Sequence, residues 1–397
     1  MGELAINGGN PVFEKKIGYG HQYIDDDDIR SVIDVLKSDY LTCGPKINET
    51  EKKLCEITGS KYSVLVSNGT AALHAAAFAA GIGPGDEIIT TPITFAASAN
   101  CALYCGGIPV FADINPDTYN IEPLDIERKI TKRTKAVVAV DFTGQAVDIE
   151  KIRAICEKNN LIFIEDAAHS LGTKYDGKPV GSLADMTVFS FHPVKTCTAG
   201  EGGAITTNDD KLYKKLVLFR THGITREQKW MDKLTEGGWY YQQIELGCNY
   251  RMTDMQAALL SSQLDKLDIF AKRRKELVKQ YDDAFASMPE IVVQKVIAKS
   301  DTVRHLYIIQ LNTDKLKCGR KEVFDALQAE GVGVNVHYIP VYFFPYYQKL
   351  GYKIGSCPNA EYLYERIISI PLFYSMTNEQ QCGVIEAVKK VINYYRK

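Results

Sequence analysis

Apolar positions recur along this chain at two periods. Ile29, Val32, Ile33, Val35 and Leu36 fall at helical spacing and predict a helix near the start of the chain. Tyr62–Val66, Glu87–Thr90, Pro109–Asp113, Ala136–Val140, Leu161–Ile164 and Met186–Phe189 are short, mainly apolar runs that read as buried strands. Between them, Ala71–Ala80, Ala96–Tyr104 and Ile149–Lys158 read as helices. Buried strands separated by helices predict an α/β fold with a parallel sheet covered on both faces. Ligands of such sheets bind beyond the carboxyl ends of the strands. Phe95, Asp166 and Lys195 all fall at or just after such ends.

Past Asn249-Tyr250-Arg251-Met252 the sheet pattern stops. One long helix is expected from Thr253 through Leu259, Leu260, Leu264 and Leu267 toward Arg273-Arg274. Residues 1–20 read as an irregular arm, 21–260 as a large domain, and 261–397 as a smaller α/β domain. The smaller domain is expected to carry strands near Leu306–Leu311 and Val332–Val336. Lys272-Arg273-Arg274-Lys275 reads as a solvated helix face. Gly81–Asp86 imitates a dinucleotide fingerprint, but it ends a helix and Pro84 breaks the spacing, so a helix stop is expected. Asp25–Asp28 reads as negative charge at a helix N-terminus, with no metal expected there.

Composition adds mainly exclusions. The 397 residues are 45% hydrophobic and 24% charged with a formal net charge of -2, so nothing draws the chain globally to nucleic acid or membrane. No apolar run approaches the ~20 residues of a membrane span. Met1–Asn7 lacks the basic and apolar regions of an export signal, so a cytoplasmic location and reduced thiols at the ten cysteines are expected.

Four features point to one chemistry. Lys195, in Ser190-Phe191-His192-Pro193-Val194-Lys195, can form an imine with an aldehyde cofactor. Asp166, followed by the small Ala167 and Ala168, can hold a pyridine nitrogen protonated while a flat ring lies close. Phe95 can stack on that ring, and Ser190 can bond a phosphate. Val66, Ser67, Asn68, Gly69 and Thr70 carry a strand through a tight turn into a helix, where free amides can cradle phosphate. Each residue alone has a plainer explanation: a loop lysine, a loop cap, a core phenylalanine, ordinary helix capping. Together they predict a pyridoxal 5'-phosphate (PLP) aminotransferase, in which Lys195 also shuttles the proton.

Gly69-Thr70-Ala71-Ala72-Leu73, Glu165–Ser170, Ser190–Lys195, Gly200-Glu201-Gly202-Gly203 and Leu246–Met252 stand in the order that resembles the DegT/DnrJ/EryC1/StrS family of sugar aminotransferases. His337-Tyr338-Ile339-Pro340 and Ile370-Pro371-Leu372-Phe373 extend the resemblance to nearly the whole chain. Cys248, where an aromatic is common, and Cys197-Thr198-Ala199 depart from the pattern. The resemblance implies a PLP-dependent transferase of fold type I, a homodimer with active sites at the subunit interface. It implies that Asn249 reaches the partner's cofactor phosphate, and that His169 and Gln145 lie near the ring and its substituents. His337 and Tyr338 join Gln145 as candidate substrate contacts. The Phe191–Lys195 version, Thr221-His222-Gly223-Ile224 and Trp239-Tyr240-Tyr241 look most like the pseudaminic-acid branch. That branch aminates C4 of a UDP-linked 4-keto-6-deoxy-N-acetyl-hexosamine with L-glutamate as donor. Alternatives are a perosamine-type or 3-amino-sugar enzyme of the family, or a PLP-binding regulatory protein without turnover. The aromatic run Tyr342, Phe343, Phe344, Tyr346 and Tyr347 is expected to be mostly core.

Overall fold

A computed structural model describes residues 3–397; Met1 and Gly2 of the expected arm lie outside them. Its centre is a seven-stranded sheet in the order Tyr62–Val66, Gly203–Thr207, Met186–Ser190, Ile162–Asp166, Thr134–Val140, Glu87–Thr90, Ile108–Phe111. Gly203–Thr207 runs antiparallel to both of its neighbours, so six strands share one direction and one opposes them. The sheet is thus mostly parallel, with one antiparallel strand. The short return from Ser190 to Gly203 leaves no room for a crossover helix, and an antiparallel partner follows.

Both faces of the sheet are covered. On one, the alanines of helix Gly69–Ala79 lie against Val64, Val66, Val138, Ile164 and Val188. On the other, Leu65, Val137, Phe163 and Phe189 meet Ile152, Leu260, Leu264, Leu267 and Phe270. Small alanine side chains let that first helix approach closely, and strand residues buried on both faces explain the near-continuous apolar runs.

A second core gathers around a three-stranded antiparallel sheet, Ile291–Val293, Tyr307–Leu311 and Ile367–Ile370. Helices Leu267–Phe285, Arg320–Ala329 and Asn378–Tyr395 pack around it. Leu4 and Ile17 from the start of the chain are buried in this core.

Several local expectations need correction. Val332–Val336 is not a strand; its pairing is limited to single bridges from Val332 to Ile17 and from Asn335 to Ser369. The helix expected from Thr253 is two helices, Asp254–Asp265 and Leu267–Phe285, broken at Lys266. Lys266 turns out of the helix to meet Asp25 at 2.7 Å and the buried Asp28 at 2.8 Å. Arg274, expected on a solvated face, is buried and donates to the carbonyls of Arg304, His305 and Leu372. The four aspartates form the predicted N-terminus: Asp25 caps helix Asp26–Leu36 and Asp28 returns a bond to the Asp25 amide. Gly81 and Gly85 take positive φ values in the helix stop. All ten cysteines are free thiols.

Candidate active site

The turns that follow the carboxyl ends of the parallel strands surround one cavity of about 1060 Å³. Helix Gly69–Ala79 opens onto it, capped by Asn68, whose Oδ1 accepts the Ala71 amide at 2.9 Å. A Cβ on Gly69 would lie 3.0 Å from Ser190 Cβ and 3.2 Å from its Oγ, so glycine alone keeps this corner open. Thr70 and Ser190 also line it. A helix N-terminus with free amides beside two hydroxyls suits a phosphate.

Asp166 ends its strand and is buried in the cavity wall. Its Oδ2 accepts a 2.7 Å hydrogen bond from Ser98, and its Oδ1 accepts the Ala168 amide at 3.2 Å. Burial pushes its carboxyl above the ordinary value, opposed by Ser98, the Ala168 amide and Lys195. Lys195 follows a turn closed by its own amide on the His192 carbonyl at 2.9 Å. Enclosure in the cavity pushes its amine down to about 8, with Asp166 pulling the other way. At pH 7 roughly a tenth of such an amine is unprotonated, far more than of an ordinary lysine.

Three histidines share this wall. Burial holds His169 and His305 well below the ordinary value, and His337 is pushed down to about 4. His169 and His305 have ring centroids 4.6 Å apart, and the Tyr338 hydroxyl lies 3.2 Å from His169 Nε2. All three rings are therefore neutral near pH 7, and Lys195 is the one Lys or Arg among the described residues lining the cavity. Phe95 is 64% exposed, yet the surface it presents faces the cavity.

The cavity thus gathers Gly69, Thr70, Phe95, Asp166, His169, Ser190, Lys195, His337 and Tyr338. It does not gather Gln145. That side chain is fully buried elsewhere, donating to the carbonyls of Thr118 and Lys295 and accepting the Ile297 amide at 2.6 Å. With its amide satisfied by backbone, Gln145 fastens a loop and stands outside the lining of the cavity. Asn249 is exposed and stands outside the lining of its own chain's cavity. Sequence reasoning missed Tyr19, Ser98 and His305. Ser98 was findable, since it follows Phe95 by one helical turn; Tyr19 and His305 carry no local signal. Of the aromatic run, Tyr342 and Tyr347 are buried core, while Phe344 lines the cavity.

A family model described as the DegT/DnrJ/EryC1/StrS aminotransferase family matches residues 22–389. The chain belongs to this family. This aminotransferase is 41% identical over 376 residues to spore coat polysaccharide biosynthesis protein SpsC of Bacillus subtilis, covering 94% of this chain and 96% of that one. It is 38% identical to a Campylobacter jejuni protein named UDP-4-amino-4,6-dideoxy-N-acetyl-beta-L-altrosamine transaminase, covering 94% and 99%. Among solved structures it resembles Helicobacter pylori PseC, an aminotransferase involved in the biosynthesis of pseudoaminic acid. There the TM-score is 0.88 at 34% identity, over 96% of this chain and all of that one. The family is one of PLP-dependent enzymes, and the aminotransferase has their α/β fold. Among its described residues no helix is long and apolar enough to cross a membrane.

Proposed function

We propose that the chain uses PLP to transfer an amino group from L-glutamate to C4 of a UDP-linked 4-keto-6-deoxy-N-acetyl-hexosamine. The product would be UDP-4-amino-4,6-dideoxy-N-acetyl-β-L-altrosamine, as the name of the Campylobacter jejuni relative describes. The observation that carries the reading is the enclosure of the Lys195 amine and the Asp166 carboxylate in one cavity beside the Gly69–Ser190 corner.

The residues present fit PLP. Bound there, it would supply an electron-accepting ring that lets nitrogen leave one carbon and join another. Gly69, Thr70 and Ser190 would hold its phosphate, Asp166 its ring nitrogen, and Phe95 a ring face. Asp166 is suited because a buried carboxylate gains most from a cationic partner. Ser98 fixes its orientation. Lys195, with its amine near 8, takes and returns the substrate proton. His169, held neutral, adds no competing positive charge beside that amine.

The reading includes a homodimer. Ile29, Ile33 and Leu36 on helix Asp26–Leu36 are 50%, 39% and 55% exposed, a stripe too apolar to leave in water. Both substrates are anionic, and Lys195 is the cavity's sole Lys or Arg among the described residues. A partner that brings Asn249 and Arg251, two residues on, to the cavity mouth would answer both observations.

The experiment is the visible spectrum of the purified protein before and after L-glutamate, followed by UDP-linked keto sugars as acceptors. Loss of the cofactor's visible band on adding glutamate is expected, with recovery on adding the 4-keto sugar. Protein that stays colourless after incubation with PLP would defeat the reading. Recovery with a 3-keto sugar alone would move the chain to another branch.

A further inference from the structure

The arm at the start of the chain lies in a seat shaped for it. Buried Glu330 accepts the Ala5 amide at 3.0 Å on one carboxylate oxygen and the Val12 amide at 3.1 Å on the other. Lys390 joins Glu330 Oε2 to the Asn10 carbonyl, each at 2.9 Å. Farther on, the Gly333 amide donates to the Ile17 carbonyl at 2.7 Å. A Cβ at Gly333 would stand 2.5 Å from that oxygen, and one at Gly383 would stand 2.5 Å from the Phe13 ring. Glycines at both places let the arm lie flat on the second core.

Two residues past Ile17, the arm reaches the cavity. The Tyr19 carbonyl accepts the Leu372 amide at 3.0 Å, which fixes the backbone. Its ring lies 5.3 Å from His337, and His337 lies 4.9 Å from Tyr338. This wall is aromatic and uncharged. Its face suits the C–H face of a hexose, and its hydroxyl suits a ring substituent. A flexible amino-acid carboxylate would find no charge here. The cavity volume, about 1060 Å³, is also just above the ~300–1,000 Å³ range of pockets for ligands much larger than an amino acid.

We propose that Tyr19 is a substrate-contacting residue that packs against the hexose of the nucleotide-linked sugar, and that the Glu330–Lys390 latch positions it. The proposal rests on the sugar-aminotransferase reading above. Tyr19 belongs to neither the cofactor groups nor the proton-transfer groups of that reading.

The test is calorimetric binding of UDP-N-acetylglucosamine to the PLP-loaded protein, for wild type, Tyr19→Phe and Tyr19→Ala. The spectral response of each to L-glutamate is recorded beside it. Kd is expected to rise roughly threefold in Tyr19→Phe and roughly tenfold in Tyr19→Ala, with the glutamate response unchanged. Equal Kd values for all three proteins, or no binding by wild type, overturn the contact. A glutamate response slowed as much as sugar binding is weakened overturns the assignment to the sugar. Wild type that binds the sugar nucleotide but ignores glutamate defeats the transaminase reading alone, and the Kd series still decides Tyr19. For the latch, Glu330→Gln is expected to speed tryptic cutting after the exposed Lys15 and Lys16 and to raise Kd toward that of Tyr19→Ala. An unchanged Kd in this variant, at whatever rate trypsin cuts, overturns the latch.

Discussion

Ser98 Oγ donates a 2.7 Å hydrogen bond to Asp166 Oδ2, and both side chains are buried. Ser98 is held in turn by Thr94, whose hydroxyl lies 2.8 Å away. The carboxylate is therefore oriented from the helix that begins just after Phe95. Asp166→Asn, which keeps the shape and removes the charge, should lower turnover by at least ~100-fold. Ser98→Ala should cost about 1–2 kcal/mol of stability and lower turnover far less. Steady-state rates and urea unfolding of both variants check this; equal losses in the two would contradict it.

Gly69→Ala should weaken PLP binding by about tenfold, because its Cβ would enter the corner 3.0 Å from Ser190. Gly69 is the first residue of its helix, where alanine is tolerated, so the melting temperature without cofactor should fall only modestly, by the crowding against Ser190. Cofactor titration followed by absorbance measures the first effect and a thermal melt the second.

Lys195, pushed down to about 8, sets a pH dependence. In cofactor-free protein its reactivity toward PLP should climb with pH and level off above about 8. Stability should also rise with pH between about 8 and 10.5, since the unfolded chain still binds a proton there that the folded one has released. Lys195→Ala should flatten both profiles. A wild-type reactivity midpoint near 10.5 would show that the cavity does not desolvate the amine.

Lys266 lies between Asp25 and the fully buried Asp28, and Gln263 donates to Asp28 at 2.7 Å. Lys266→Met would leave a buried carboxylate without its cation, at a cost of about 3 kcal/mol. Lys266→Met combined with Asp28→Asn should recover much of that loss. Guanidinium denaturation of the two variants decides it, and a fully stable single variant would count against a structural role for the pair.

How far the sequence could be read follows from the range of each interaction. The strands that carry Asp166 and Ser190, and the turn at Gly69, were legible because local apolar runs and capping residues set them. Their meeting at one cavity was also legible, since parallel strands place their carboxyl ends on one edge. Gln145 entered only through the family resemblance, and nothing beside it in the chain tells that its amide meets the backbone of Thr118, Lys295 and Ile297. Arg274 misled for a related reason: its basic neighbours suggest solvent, while three carbonyls from separate segments draw it inward.

The sequence by itself determined the α/β class, most of the strands, the candidate lysine and carboxylate, and the family resemblance. These depend on neighbouring residues or on motifs kept in order along the chain. The tertiary structure decided the antiparallel seventh strand, the break at Lys266, the placement of Gln145 and the arrival of Tyr19. Each of those depends on partners far apart in the chain, such as Ile17 with Gly333 or Ser98 with Asp166. Periodicity reports which face of an element is apolar, but the polar partner that a buried group finds is settled only when the chain closes around it.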